Sequence, residues 1–221
     1  MSTRSLIHAL SVTLISALGA IGFGYAVASL DAPGLDANRD GKVQTVVVGD
    51  SLSAGFYASS EDLGFARLVT DELGPVETLT TARAHQTLAT VSGVASVPPG
   101  VELAIIELGT NDVGAGTPLE DFSGQYRSLV TSIRAASPFA EIVCLGTWTG
   151  WGDDYDEAVE NACATVDGTT IPLIDLFRAE ENRGSEGHPT FLGPGDDFHP
   201  NDLGHRAIAD AILRELPVPH E

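Results

Sequence analysis

From Val43 onward the chain alternates short β-rich runs with longer segments of helical periodicity, and this alternation restricts it to an α/β domain built on a parallel sheet. Val43–Gly49 (VQTVVVG) has the unbroken apolar character of a strand buried on both faces. A helix over 64–73, closed by Gly74-Pro75, leads to a more polar strand over 76–81 that suits a sheet edge. Residues 85–94 read as a helix ended by Pro98-Pro99-Gly100, and 101–108 (VELAIIEL) as a third strand. Thr117, Pro118 and Glu120 have the spacing of a capping box. The helix that they open carries Leu119, Phe122, Tyr126, Leu129, Val130 and Ile133 as one apolar stripe. A fourth strand over 141–148, a helix over 154–166 and a fifth strand over 170–176 follow. Asn201 is positioned to cap a final helix that buries Leu203, Ala207, Ile208, Ala211 and Ile212. Right-handed crossovers then place helices on the faces of the sheet.

The 43% apolar content of the 221 residues is enough for the core of one domain. The formal charge of −20 repels phosphate backbones, which argues against nucleic acid as a partner. The acids are scattered, as on an exported protein kept soluble by its surface. Arg4 precedes a nearly uncharged stretch over 6–30, Ala26-Val27-Ala28 offers small residues for a signal peptidase, and Asp31 and Asp36 follow. Residues 1–28 are thus expected to be a signal peptide or an uncleaved membrane anchor, 29–42 a linker and 43–221 the domain. Either reading puts the body outside the cytoplasm, touching a membrane only through its amino-terminal segment. Cys144 falls in the fourth strand and Cys163 in the next helix, so consecutive elements can bring them together as a disulfide; two buried thiols are the alternative. No second Cys or His stands at ligand spacing from either, so no metal site is expected there.

Three short motifs lie at element boundaries. Gly49-Asp50-Ser51-Leu52-Ser53 follows the first strand and places a hydroxyl at the carboxyl end of the sheet, where open α/β folds bind ligands. Gly109-Thr110-Asn111-Asp112 follows the third strand; parallel neighbours end side by side, so the Asn111 amide can come near Ser51 and donate to a developing oxyanion. Asp196-Asp197-Phe198-His199-Pro200-Asn201 precedes the last helix. Asp196, three residues before His199, can accept from Nδ1 and leave Nε2 for the Ser51 proton; Asp197 is the alternative, with less suitable spacing. Each motif alone is an ordinary turn or cap.

Taken together and in this order, the motifs resemble the SGNH hydrolase superfamily, the GDSL-type esterases and lipases, across roughly 43–216. The resemblance implies a three-layer, flavodoxin-like sandwich with a five-stranded parallel sheet in the order 2-1-3-4-5. It implies Ser51 as nucleophile, Asp196 and His199 as acid and base, and Asn111 as an oxyanion-hole donor beside the Ser51 N–H. The family's second block supplies a glycine N–H to the same hole. The matching segment here, Thr81-Ala82-Arg83-Ala84-His85-Gln86-Thr87, has no glycine, and the polar residues and helix that follow align Ala84 with it. An alanine retains the N–H provided that the backbone there avoids positive φ. The reaction implied is hydrolysis of carboxylic esters through an acyl-enzyme, without metal or organic cofactor. The substrate would be a small-molecule or polysaccharide ester. An acyltransferase passing the acyl group to a sugar or polymer hydroxyl is the alternative, and a silent binding domain the third reading.

Trp148 and Trp151 follow the fourth strand on the presumed site side and are candidates for a substrate subsite, or else they cover the core. Asp36-Ala37-Asn38-Arg39-Asp40-Gly41 matches half of a calcium loop, but the twelfth position is Val47, within the first strand, so a solvated linker is the better reading.

Overall fold

A computed structural model describes residues 35–217 except 37 and 39. The expected export segment, with Ala26-Val27-Ala28, and the first part of the linker lie outside the described residues. Five parallel strands, β1 (Val43–Gly49), β2 (Val76–Ala82), β3 (Leu103–Glu107), β4 (Glu141–Leu145) and β5 (Thr169–Ile171), form a sheet in the order β2-β1-β3-β4-β5. The order is that expected, with polar β2 at an edge.

Successive side chains of a strand point to opposite faces, and this period of two builds two cores. Val46, Val48, Ala104, Ile106, Ile142 and Cys144 face α2 (Leu88–Ser92), α4 (Leu119–Ala136) and α5 (Asp153–Ala164). Val47, Leu103, Ile105, Val143 and Leu145 face α1 (Phe65–Leu73) and α7 (Asp202–Glu215). Helices on both faces give the three layers. Two shorter helices, α3 (Thr110–Ala115) and α6 (Ile174–Arg178), turn the chain at the carboxyl end of the sheet.

Several local expectations are corrected. Thr117 caps nothing: its hydroxyl donates to Asp112 Oδ1 at 2.8 Å, and α4 starts at Leu119 without a side-chain cap. Leu119 stays exposed while Phe122, Tyr126, Leu129, Val130 and Ile133 are buried, because the first turn overhangs the core. The fifth strand is only Thr169–Ile171; Pro172 lacks a ladder donor, and 174–178 turn into α6. The helix expected over 85–94 is confined to Leu88–Ser92, with its first N–H held by the buried Asp112 carboxylate (Leu88 N to Oδ2, 2.8 Å).

Asn201 does cap α7, accepting from Gly204 N at 3.0 Å, and Ile208, Ala211 and Ile212 are buried as expected, with Ala207 half-buried. Leu203 is exposed, whereas His205 is wholly buried. Phe65 N donates to His205 Nδ1 at 3.2 Å, so the ring proton is on Nε2 and donates to the Phe56 carbonyl at 2.9 Å. Burial lowers the His205 pKa to about 4, so it stays a neutral strut between α7, α1 and the loop beyond Ser51.

Cys144 of β4 and Cys163 of α5 are joined in a disulfide within the first of the two cores. Described residues of the stretch expected as the end of a linker touch the domain. Leu35 is buried in the second core, and Asn38 N donates to Glu102 Oε1 at 3.0 Å. The acids of the half calcium loop engage backbone: Asp36 accepts from Asp40 N and Gly41 N.

Candidate active site

The end of β1 carries the nucleophile candidate. Gly49 is required there, since a Cβ would lie 1.9 Å from Ser53 Oγ. The tight turn behind it brings Ser51, 4% exposed, to the carboxyl edge of the sheet. Ser51 Oγ stands 2.9 Å from His199 Nε2, and His199 Nδ1 stands 2.8 Å from Asp196 Oδ2. The i, i+3 spacing works because Asp196 Oδ1 accepts from the N–H groups of Phe198 (3.0 Å) and His199 (2.8 Å), folding the carboxylate back on the ring. With Asp196 accepting at Nδ1, the ring's free lone pair is on Nε2 and receives the Ser51 proton. Tyr57 stands edge-on to the His199 ring at 4.9 Å, and Phe198 does so at 5.3 Å.

Burial lowers the His199 pKa from its ordinary value, an effect that the bond and charge of Asp196 oppose without reversing. For Asp196, partial burial acts upward but is outweighed by the bonds from the His199 N–H and ring and from Phe198 N, so its carboxylate lies below the usual range. The resting constellation is therefore hydroxyl, neutral imidazole and carboxylate.

Asn111 reaches the same edge from α3, which follows β3 through Gly109. The Gly109 φ of +128° is one that side chains rarely adopt. Both Asn111 amide protons are engaged: Nδ2 donates to Asp50 Oδ2 at 2.9 Å and to the Gln86 carbonyl at 3.1 Å. Ala84 lies in the turn between β2 and α2. The positive φ falls one residue later, on His85 at +61°, whose ring is 6.2 Å from Phe56. Among the described residues neither the Ala84 nor the His85 N–H has an acceptor.

Trp148 is a core residue: its ring is fully buried and its indole N–H donates to the Phe198 carbonyl at 2.7 Å, which removes it as a substrate contact. Trp151 is 73% exposed and rests edge-on against Phe177. Of the two, only Trp151 is open to solvent.

Sequence reasoning missed the acidic pair behind Ser51. Asp50 and Glu107 are both 0% exposed. Glu107 Oε2 accepts from Asp50 N (3.2 Å), Ser53 N (3.1 Å) and Ser53 Oγ (3.0 Å). A signal was present: a glutamate closes an otherwise apolar strand, where a charge needs a reason.

A hydroxyl, imidazole and carboxylate chain thus stands at the carboxyl edge of a 2-1-3-4-5 parallel sheet, where a flavodoxin-like scaffold places its ligand site. The family model for the GDSL-like Lipase/Acylhydrolase family matches residues 47–207, and the chain belongs to that family of SGNH-type esterases and lipases. No curated protein sequence is significantly similar to it. Among solved structures, it is similar to phospholipase A1 from Streptomyces albidoflavus NA297, with a TM-score of 0.63 and 16% identity, covering 78% of this chain and 99% of the other. An extracellular lipase from Streptomyces rimosus is similar at a TM-score of 0.61 and 16% identity, with coverage of 78% and 99%. A carbohydrate esterase family 2 enzyme with a carbohydrate-binding domain, from Corynascus thermopiles (Myceliophthora fergusii), gives 0.60 and 17%. The match covers 78% of this chain and spans only 64% of that enzyme. At these identities the likeness is one of fold.

Proposed function

We propose that the protein hydrolyses carboxylic esters, with Ser51 as nucleophile, His199 as general base and then acid, and Asp196 orienting the ring. The observation that carries this reading is the unbroken chain from Ser51 Oγ to His199 Nε2 (2.9 Å) and from Nδ1 to Asp196 (2.8 Å). His199 takes the hydroxyl proton as Oγ bonds to the ester carbonyl carbon, then returns it to the leaving alcohol; water reverses the sequence to release the acid. The oxyanion would be held by the N–H groups of Ser51 and Ala84 and by Asn111, whose second proton passes from the Gln86 carbonyl to the substrate oxygen. No step calls for a metal or organic cofactor.

The test is a series of p-nitrophenyl esters of rising chain length run beside acetate release from acetyl-xylan, each with an acceptor alcohol present or absent. Free acid as the product supports hydrolysis; a dominant ester of the added alcohol would mark an acyltransferase instead. Because burial disfavours the imidazolium, the base form of His199 persists to lower pH. The acidic limb of kcat/KM is therefore expected to have its midpoint below 6.5, the ordinary histidine value. A midpoint at or above that value would contradict the assignment. Asp196→Asn is expected to cost roughly 10⁴-fold in kcat, less than loss of the nucleophile, since the residue orients and stabilises the imidazolium without bonding to substrate. Activity equal to wild type would remove Asp196 from the site. We also read residues 1–28 as the export segment, which the disulfide supports, since such bonds persist in oxidising compartments. Amino-terminal sequencing of secreted protein would reveal cleavage or its absence.

A further inference from the structure

We propose that Glu107 is a positioning residue held protonated behind the Ser51 loop, its Oε1–H donating to the Asp50 carboxylate and so fixing Asp50 as the acceptor that orients the Asn111 amide. The inference rests on the esterase reading of Ser51 and Asn111 and adds to it a group that no step of that mechanism uses.

The bonding pattern locates the proton. All three donors to Glu107 converge on Oε2: Asp50 N, Ser53 N and Ser53 Oγ. Oε1 is buried and receives none. A carboxylate divides its charge between two oxygens, and a buried one with three bonds on one oxygen and none on the other leaves half its charge unanswered. A carboxylic acid fits this asymmetry, with Oε2 as its carbonyl and Oε1 as its hydroxyl. The Asp50 carboxyl lies within hydrogen-bonding reach of Glu107 and supplies the acceptor that this hydroxyl needs.

Two neighbouring anions, both excluded from water, repel, so the pair retains a proton. Burial is the main cause on both sides, pushing Asp50 up to about 6 and Glu107 well above the carboxylate range. The titratable groups that bear on Glu107 are Asp50, from the β1–α1 loop, and the Tyr126 hydroxyl of α4.

The proton's position matters because of what Asp50 touches. Its Oδ2 accepts from Asn111 Nδ2 at 2.9 Å. Its Oδ1 lies 3.3 Å from Ser51 Oγ, whose single proton is directed to His199. As an anion Asp50 can only accept, so Asn111 must present its amide nitrogen to that side and to the oxyanion position. With the proton on Asp50 instead, Asp50 could donate to the Asn111 carbonyl oxygen, and the amide would turn an acceptor toward the ester oxygen. Glu107 thus sets the polarity of the hole without touching substrate.

Glu107→Gln and Glu107→Ala test this together. Glutamine reproduces the neutral acid, with its carbonyl in place of Oε2 and its NH₂ in place of Oε1–H, and is expected to keep kcat within about threefold, whereas alanine lowers kcat about 100-fold with KM little changed, the scale of losing one oxyanion donor. Infrared spectra of wild type at pH 7 should show a protonated-carboxyl C=O stretch that Glu107→Gln lacks. The pH dependence of Tm gives a second readout. A raised folded-state pKa contributes stability that is fully present below the ordinary glutamate value of 4.5 and is lost as pH rises toward the folded value. The wild-type Tm should therefore fall relative to Glu107→Gln as pH increases above that value. The proposal is overturned if the two infrared spectra show no such difference, if the Tm difference does not change with pH, or if Glu107→Gln is as impaired as Glu107→Ala or does not fold. The infrared and Tm readouts are independent of ester turnover, so a wild type inactive on every ester would defeat the reading of Ser51 while these two still decide the state of Glu107.

Discussion

Replacing Ser51 by alanine is expected to lower ester turnover roughly 10⁶-fold while leaving the fold and Tm nearly intact. The side chain removed is a hydroxyl at the surface end of the site, 4% exposed, and its partner ring is also held by Asp196 and by two aromatic edges. His199→Ala should match it in magnitude, because hydroxyl and base act as one unit, and the double variant should be little worse than either single one. Additive losses would mean that the two side chains act separately, contrary to their 2.9 Å contact. A fluorophosphonate probe gives the companion measurement: wild type labels at Ser51, and neither variant labels.

The second large effect is on stability. Removing the Cys144–Cys163 disulfide with a Cys144→Ala/Cys163→Ala double variant frees a loop of 19 residues' separation in the unfolded chain. The chain-entropy treatment gives about 3 kcal/mol for such a loop. For a domain of this size that corresponds to a fall in Tm of about 6–12 °C. Urea titration should show a lower midpoint with a steeper slope, because the unfolded chain without the link exposes more surface. The disulfide lies in the core between β4 and α5, away from Ser51, so kcat at 25 °C should be unchanged. A double variant as stable as the wild type would show that packing around the two sulfurs, and not the covalent link, holds α5 on the sheet.

Much of this architecture is legible in the chain itself. The apolar run of Val43–Gly49, the polar run that becomes edge strand β2 and the stripe of α4 depend on residue character and spacing, which survive whatever packs against them. Asp196 and His199 were readable for the same reason, since a turn of three residues is local. Errors gathered where a partner far along the chain decides the outcome. Thr117 matches a capping box, yet the buried Asp112 competes for its hydroxyl. Leu203 has helical spacing, yet it stays exposed, and the buried residue of that turn is His205, held by Phe56 and Phe65. Trp148 follows its strand on the site side, but its ring turns inward to the Phe198 carbonyl.

The sequence alone determined the sheet, its helical layers and the boundary positions of Ser51, Asn111 and His199, because periodicity and turn chemistry act over a few neighbouring residues. The tertiary structure decided what those residues touch: that Ser51 and His199 meet across 148 positions, that both Asn111 protons are engaged at rest, and that Glu107 lies buried against Asp50. Burial and hydrogen-bond partnership belong to pairs of distant groups once water is excluded, and no local pattern specifies them.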